Sequence, residues 1–205
     1  MLDHLVYGTP DVAKTINDLE RAWGVRAVMG GKHPNGTHNA LLSLGGGSYL
    51  EIIGPDPDQA PDPKRPMSFG VDRLKTPRLL TWAIKAPGIA EWVKRARRAG
   101  YDPGDPQPLS RKRPDGVLLE WTLTRATEPV GDGLVPFLID WGATPHPAAD
   151  SPMGCTFAWL RAEHPDPGSI KVWTRALGEE LDVRSGPEAA LIASIQTPNG
   201  RMELR

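Results

Sequence analysis

The sequence predicts an α+β fold in which one βαβββ unit is written three times along 205 residues. Two observations carry that reading. A short apolar strand with a bulky His or Trp opens each unit, at Leu2-Asp3-His4-Leu5-Val6, Thr81-Trp82-Ala83-Ile84 and Phe157-Ala158-Trp159-Leu160. A helical stretch follows in each and stops at Gly24, Gly100 and Gly178, which lie 20, 18 and 19 residues after His4, Trp82 and Trp159. Recurrence at so constant a distance marks a repeated supersecondary unit. The 22 glycines and 22 prolines are spread through turns, which favours many short strands over disorder.

The first unit spans 1–55. Strand Leu2–Tyr7 meets Thr9-Pro10-Asp11, a helix start, and Val12, Ile16, Leu19 and Trp23 then mark one buried stripe. A strand over Val25–Met29 and an irregular crossing through Gly30-Gly31 and Pro34-Asn35-Gly36 come next. Asn39–Leu44 and Ser48–Ile53 flank Gly45-Gly46-Gly47 as a hairpin. The second unit, 79–142, reads as strand Leu80–Lys85, helix Gly88–Ala99, and strands near Leu109–Arg113, Leu118–Arg125 and Val135–Trp141, with a turn at Pro114-Asp115-Gly116. The third, 153–205, reads as strand Thr156–Arg161, helix Pro167–Leu177, then Leu181–Arg184, Ala189–Gln196 and Arg201–Arg205. Pro-rich segments 56–78 and 143–152 hold neither helix nor central strand and read as linkers.

A net charge of −1 gives no bulk attraction to nucleic acid or an anionic membrane. The basic run Lys94-Arg95-Ala96-Arg97-Arg98 suits the solvated last turn of a helix. No apolar run is long enough to span a membrane, and Met1 leads straight into a strand, so a cytoplasmic protein is expected. The single cysteine, Cys155, precludes an internal disulfide and is expected to pack as a small hydrophobe.

His4 shares its strand face with Leu2 and Val6, so a buried, locally satisfied histidine and a cleft-lining one are both open. If the glycine run is a three-residue turn, Leu41 faces Glu51 and odd positions point inward, which turns His38 to the opposite face. His33 falls in a Gly/Pro-rich crossing and is expected in solvent, and His164 is expected at a strand exit without a chemical role. Arg111 and Arg113 alternate along one strand ahead of Trp121. They read either as a clamp for a carboxylate or phosphate against an aromatic wall, or as solvated edge-strand charges. Of seven tryptophans, Trp23, Trp92 and Trp173 sit at helical core spacing, whereas Trp82, Trp121 and Trp159 lie on strands that could line a cleft.

The segments Leu2–Tyr7, Gly36–Leu42, Tyr49–Pro55, Ser110–Gly116 with Trp121, and Pro136–Trp141 with His146-Pro147 together resemble the vicinal oxygen chelate superfamily, and within it the glyoxalase-like domain proteins. The resemblance implies curved mixed sheets with helices on their outer face. It also implies a cleft between two modules, where a divalent ion (Zn, Ni, Mn, Fe or Mg) is held by a His on each first strand and a Glu on each last strand. Carried over, His4 and Glu51 are the first module's metal pair; without metal, Glu51 would orient His4 as a general base. Trp82 and Trp159 fall where the counterparts of His4 are expected, and an indole cannot ligate; Asp140 or Glu203 would supply a further carboxylate.

The implied function is a cleft that acts on or binds a small polar organic molecule, with Arg111, Arg113, Trp121, Trp82 and Asp140 as ligand contacts. If it is an enzyme, it is a metal-dependent lyase, isomerase or dioxygenase. The alternative is a metal-free sequestering protein of the bleomycin-resistance type. No nucleotide cofactor is expected. Three modules leave one unpaired, so either a two-fold homodimer covers its apolar sheet face or it packs on the other two within the chain.

Overall fold

The computed structural model describes residues 1–62, 64–113, 116–124 and 129–205. The expected Pro114-Asp115-Gly116 turn and the expected strand end at Arg125 fall wholly or partly outside the described residues. The first elements are β1 (Leu2–Gly8), α1 (Val12–Trp23), β2 (Val28–Lys32), β3 (Thr37–Ser43) and β4 (Tyr49–Pro55). Next come β5 (Arg78–Lys85), α2 (Ile89–Arg98), β6 (Gln107–Lys112), β7 (Leu118–Leu123) and β8 (Phe137–Asp140). The last are β9 (Thr156–His164), α3 (Pro167–Ala176), β10 (Asp182–Ser185), β11 (Ala190–Thr197) and β12 (Gly200–Leu204).

Local chemistry sets the ends of these elements. Asp11 accepts a hydrogen bond from the Lys14 amide at 2.9 Å and caps α1, which buries Val12, Ile16, Leu19 and Trp23. In α2 the basic last turn is solvated, and Arg97 pairs with Asp102 and Asp105. The hairpin between β3 and β4 turns through Gly45, Gly46 and Gly47, all in the left-handed region that glycine enters without strain. That turn pairs Leu41 with Glu51, the register the alternation argument expects.

Eight strands form one curved, nearly barrel-shaped sheet in the order β2-β3-β4-β1-β5-β8-β7-β6. The two halves meet at the antiparallel β1–β5 pair, and in each half the first strand runs parallel to the last, β1 to β4 and β5 to β8. The outer strands β2 and β6 face each other across a seam. There Arg111 on β6 donates from Nη1 to the Gly30 carbonyl on β2. A Cβ on Gly31 would lie 2.6 Å from Arg111 Nη1 and 3.1 Å from the Lys112 carbonyl, so the close approach needs glycine. This corrects the expected crossing at Gly30-Gly31: those residues belong to β2, in a bulge between Met29 and Gly31.

The third unit repeats the order of elements with a different strand order, β10-β9-β11-β12, in which β9 lies between β10 and β11. One face of this sheet (Ala162, Leu191, Ala193, Ile195) joins a core shared with the three helices and the convex face of the large sheet (Leu5, Leu50, Trp82, Ile84). The Phe157 amide bonds the Leu44 carbonyl at 2.8 Å, and the Leu79 amide bonds that of Arg205 at 3.0 Å. The apolar face that invoked a second copy is thus covered within the chain. Among the described residues, no helix is long and apolar enough to cross a membrane.

Gly31→Val is expected to force the seam apart and to cost about 1–3 kcal/mol, read as a lower urea midpoint with an unchanged far-UV spectrum. A midpoint equal to wild type would show that the seam is not closely packed.

Candidate functional site

The concave face of the large sheet encloses a cavity of about 600 Å³. His4, Asn39, Tyr49, Glu51 and Ile53 come from the first half; Arg111, Trp121, Leu123, Phe137, Ile139 and Trp141 come from the second. The mouth is rimmed by His33-Pro34-Asn35 and by Arg65, Pro66, Ser68 and Phe69. Those last four belong to the segment that the sequence reads as a linker. Its Phe69 stands in the left-handed region and stacks on Phe137 with ring centres 6.0 Å apart.

His4 is nearly buried, and two carboxylates flank its ring. Its Nδ1 lies 2.7 Å from Asp3 Oδ1, and its Nε2 lies 3.8 Å from Glu51 Oε2. Simple alternation would turn Asp3 away from His4. A register shift between Leu2 and His4 makes Asp3 the extra residue of a bulge and brings the two side chains together. Asp3 is fully buried and takes two more donors, Trp141 Nε1 at 3.4 Å and His146 Nε2 at 3.0 Å. Burial alone would raise its pKa, but the hydrogen bonds and charges of His146 and His4 outweigh that and hold the carboxyl well below the usual range.

An ionised Asp3 only accepts, so His4 carries its proton on Nδ1 and, when neutral, presents the Nε2 lone pair on the Glu51 side. His146 is fixed in the other tautomer, because its Nδ1 accepts from the Ala148 amide at 3.2 Å. The His4 ring stacks on Tyr49 at 4.7 Å and 20°, and meets the edge of Phe137. Burial, then the neighbouring Asp3 and Glu51, push the Tyr49 hydroxyl well above its ordinary pKa, so it stays protonated. Asn39 Nδ2 donates to Glu51 Oε1 at 2.6 Å and steadies that carboxylate, as the Leu41–Glu51 register allows.

Several expected ligand contacts lie elsewhere. Trp82 points into the main core, where its Nε1 donates to the Leu134 carbonyl at 2.9 Å, and Ala83 is the residue of β5 opposite His4. Asp140 faces away from the cavity and accepts from the amides of Gly88 and Ile89 at the start of α2, at 2.8 and 3.4 Å. Arg113 lies beyond the end of β6, pairs with Asp150 at 2.7 Å, and does not line the cavity. The structure does bring His4, Glu51, Arg111 and Trp121 together. His33, expected in solvent, lines the mouth, and burial lowers its pKa to about 4. Its Nδ1 bonds the Thr37 hydroxyl at 2.8 Å.

Metal-binding capacity follows from the register. β1 and β4 pair His4 with Tyr49, and β5 and β8 pair Ala83 with Phe137, so Ala83 and Ile139 are the second-half counterparts of His4 and Glu51. A resident zinc needs about four donors and magnesium about six. Only the two from the first half are in place, and no group of three or more His, Cys, Asp or Glu suited to a metal occurs among the described residues. The donor set does not fit a resident ion.

A curved sheet of two related halves around a cleft is the architecture of the vicinal oxygen chelate fold. The family model "Glyoxalase-like domain" matches residues 2–178, and the chain belongs to that family. It is similar in structure to a hypothetical protein from Staphylococcus aureus, with TM-score 0.68 and 12% identity over 100% of this chain and 98% of that one. A mutant 4-hydroxymandelate synthase from Streptomyces coelicolor overlays at TM-score 0.54 and 14% identity, covering 99% of this chain and 61% of that one. Methylmalonyl-CoA epimerase from Mycobacterium tuberculosis overlays at 0.46 and 16%, covering 72% and 91%. No curated protein matches. At these identities the first two overlays establish the fold alone.

Asp3 binds its proton more weakly in the folded than in the unfolded state. The stability it contributes is therefore complete at neutral pH and is lost as the pH falls through the ordinary carboxylate range towards its lower folded value. Asp3→Asn is expected to cost about 3–5 kcal/mol near pH 7 and to flatten the loss of stability in acid, measured by urea titrations across that range. His33 should titrate by NMR with a midpoint of about 4; a midpoint near 6.5 would mean that its ring is solvated.

Proposed function

We propose that the cavity binds a small organic molecule and that His4, oriented by Asp3, accepts a proton from it without a resident metal. The observation that carries this is the buried Asp3–His4 contact at 2.7 Å, which leaves Nε2 as the basic atom beside Glu51. A base so placed needs no rearrangement to act, and protonation would leave an imidazolium between two carboxylates. The aromatic and aliphatic walls restrict water and strengthen those interactions. A fixed orienting carboxylate also accompanies histidines that ligate metals, but the counterparts Ala83 and Ile139 support the metal-independent reading. A second reading, sequestration without turnover, draws on the aromatic wall, where Trp121 and Trp141 lie 5.3 Å apart.

Two measurements test the proposal. In D2O, proton NMR should show the wild type exchanging an activated C–H in at least one of a panel of small carbonyl compounds, with His4→Gln slower by about 10²–10⁴-fold. Equal rates in the two proteins would remove His4 from the chemistry, and saturable binding with no exchange would favour sequestration. Isothermal titration with zinc, nickel and manganese should show no stoichiometric uptake that His4→Gln abolishes. Tight uptake lost in that variant would overturn the metal-independent reading.

A further inference from the structure

Arg111 is 6% exposed, lies in the cavity wall, and forms no ion pair among the described residues. Its one side-chain hydrogen bond among them runs from Nη1 to the Gly30 carbonyl, so most of its five guanidinium N–H donors are unclaimed by protein. A cation withdrawn from water without a matching anion is costly, and one that a fold keeps in a ligand cavity is matched when the ligand arrives. The charged groups that act on it are Glu51, which also lines the cavity, and Arg113 from its own strand's end; Tyr49, held protonated, is neutral.

We propose that the ligand is a small organic monocarboxylate with a flat, apolar body, its carboxylate seated on Arg111. The inference rests on reading the cavity as a small-molecule site and adds the chemical class. A guanidinium offers a planar fork that matches a carboxylate through two parallel hydrogen bonds. A single negative charge is favoured because Glu51 and Glu120 already line the same cavity against Arg111 and the rim Arg65, and a phosphate dianion would add more unbalanced repulsion. A flat body is favoured because Trp121, Trp141 and Phe137 present ring faces and edges, while Ile53, Leu123 and Ile139 fill the remaining wall. The volume, about 600 Å³, falls in the range of cavities that enclose molecules of this kind.

Trp121 and Trp141 provide the readout, by fluorescence titration of the full chain with phenylacetate, its uncharged amide and phenyl phosphate. Phenylacetate should quench saturably, and the amide and the phosphate should each bind at least about tenfold more weakly, 1.4 kcal/mol or more. This comparison uses the unmodified protein, so it holds even if Arg111→Gln opens the seam. Where that variant folds, it should lose the preference for carboxylate over amide. An amide or phosphate that binds as tightly as phenylacetate, no saturable quenching at millimolar phenylacetate, or a preference intact in a folded Arg111→Gln would each overturn the assignment. His4→Gln separates the two proposals: it should keep the carboxylate preference while losing proton exchange.

Discussion

The organisation of the cleft depends on one buried carboxylate. Asp3 has no solvent contact and is met by three donors, from His4 beside it, Trp141 just past β8, and His146 in the following segment. Burying that charge is tolerable only because the donors surround it. The same requirement fixes the tautomer of His4 and ties the segment after β8 back to the first strand. Tyr49 and Phe137 then hold the imidazole by stacking and edge contact.

The two halves of the large sheet share a topology and differ in what they place inside it. The first half supplies His4, Asn39, Tyr49 and Glu51; at the positions matching His4 and Glu51 the second half supplies Ala83 and Ile139. The first half therefore places most of its polar and titratable groups in the cleft floor, and the second is mainly apolar and aromatic, with Arg111, Ser110 and Glu120 as its polar members. Such a division suits a ligand with a reactive end and a hydrophobic body more than an ion held symmetrically between halves. Strand order and direction are equivalent on both sides, but β8 pairs with its neighbours over fewer residues than β4 does.

The third unit serves the scaffold. Its strand order differs from that of the other two, so none of its positions is equivalent to His4, and Trp159 is no counterpart of the histidine. Its apolar face completes the core behind α1, α2 and the convex sheet. Burying that surface within the chain removes a hydrophobic face that would otherwise demand a partner.

Periodicity and turn chemistry determined the succession of strands and helices and the Leu41–Glu51 register, because these are consequences of local alternation and a three-glycine turn; the meeting of His4 with Glu51 was implied by the family resemblance and rests on the β1–β4 pairing. Tertiary structure decided the rest. A bulge at Asp3, invisible to a period-two pattern, brought it to His4; a one-residue offset turned Trp82 and Asp140 outward and Ala83 and Ile139 inward. The segments that read as linkers became the mouth and the clasp, through Phe69 and His146. Adjacent residues fix what a strand can be, but which side chains share a cavity depends on bulges and pairings between segments far apart in sequence. No local signal carries those.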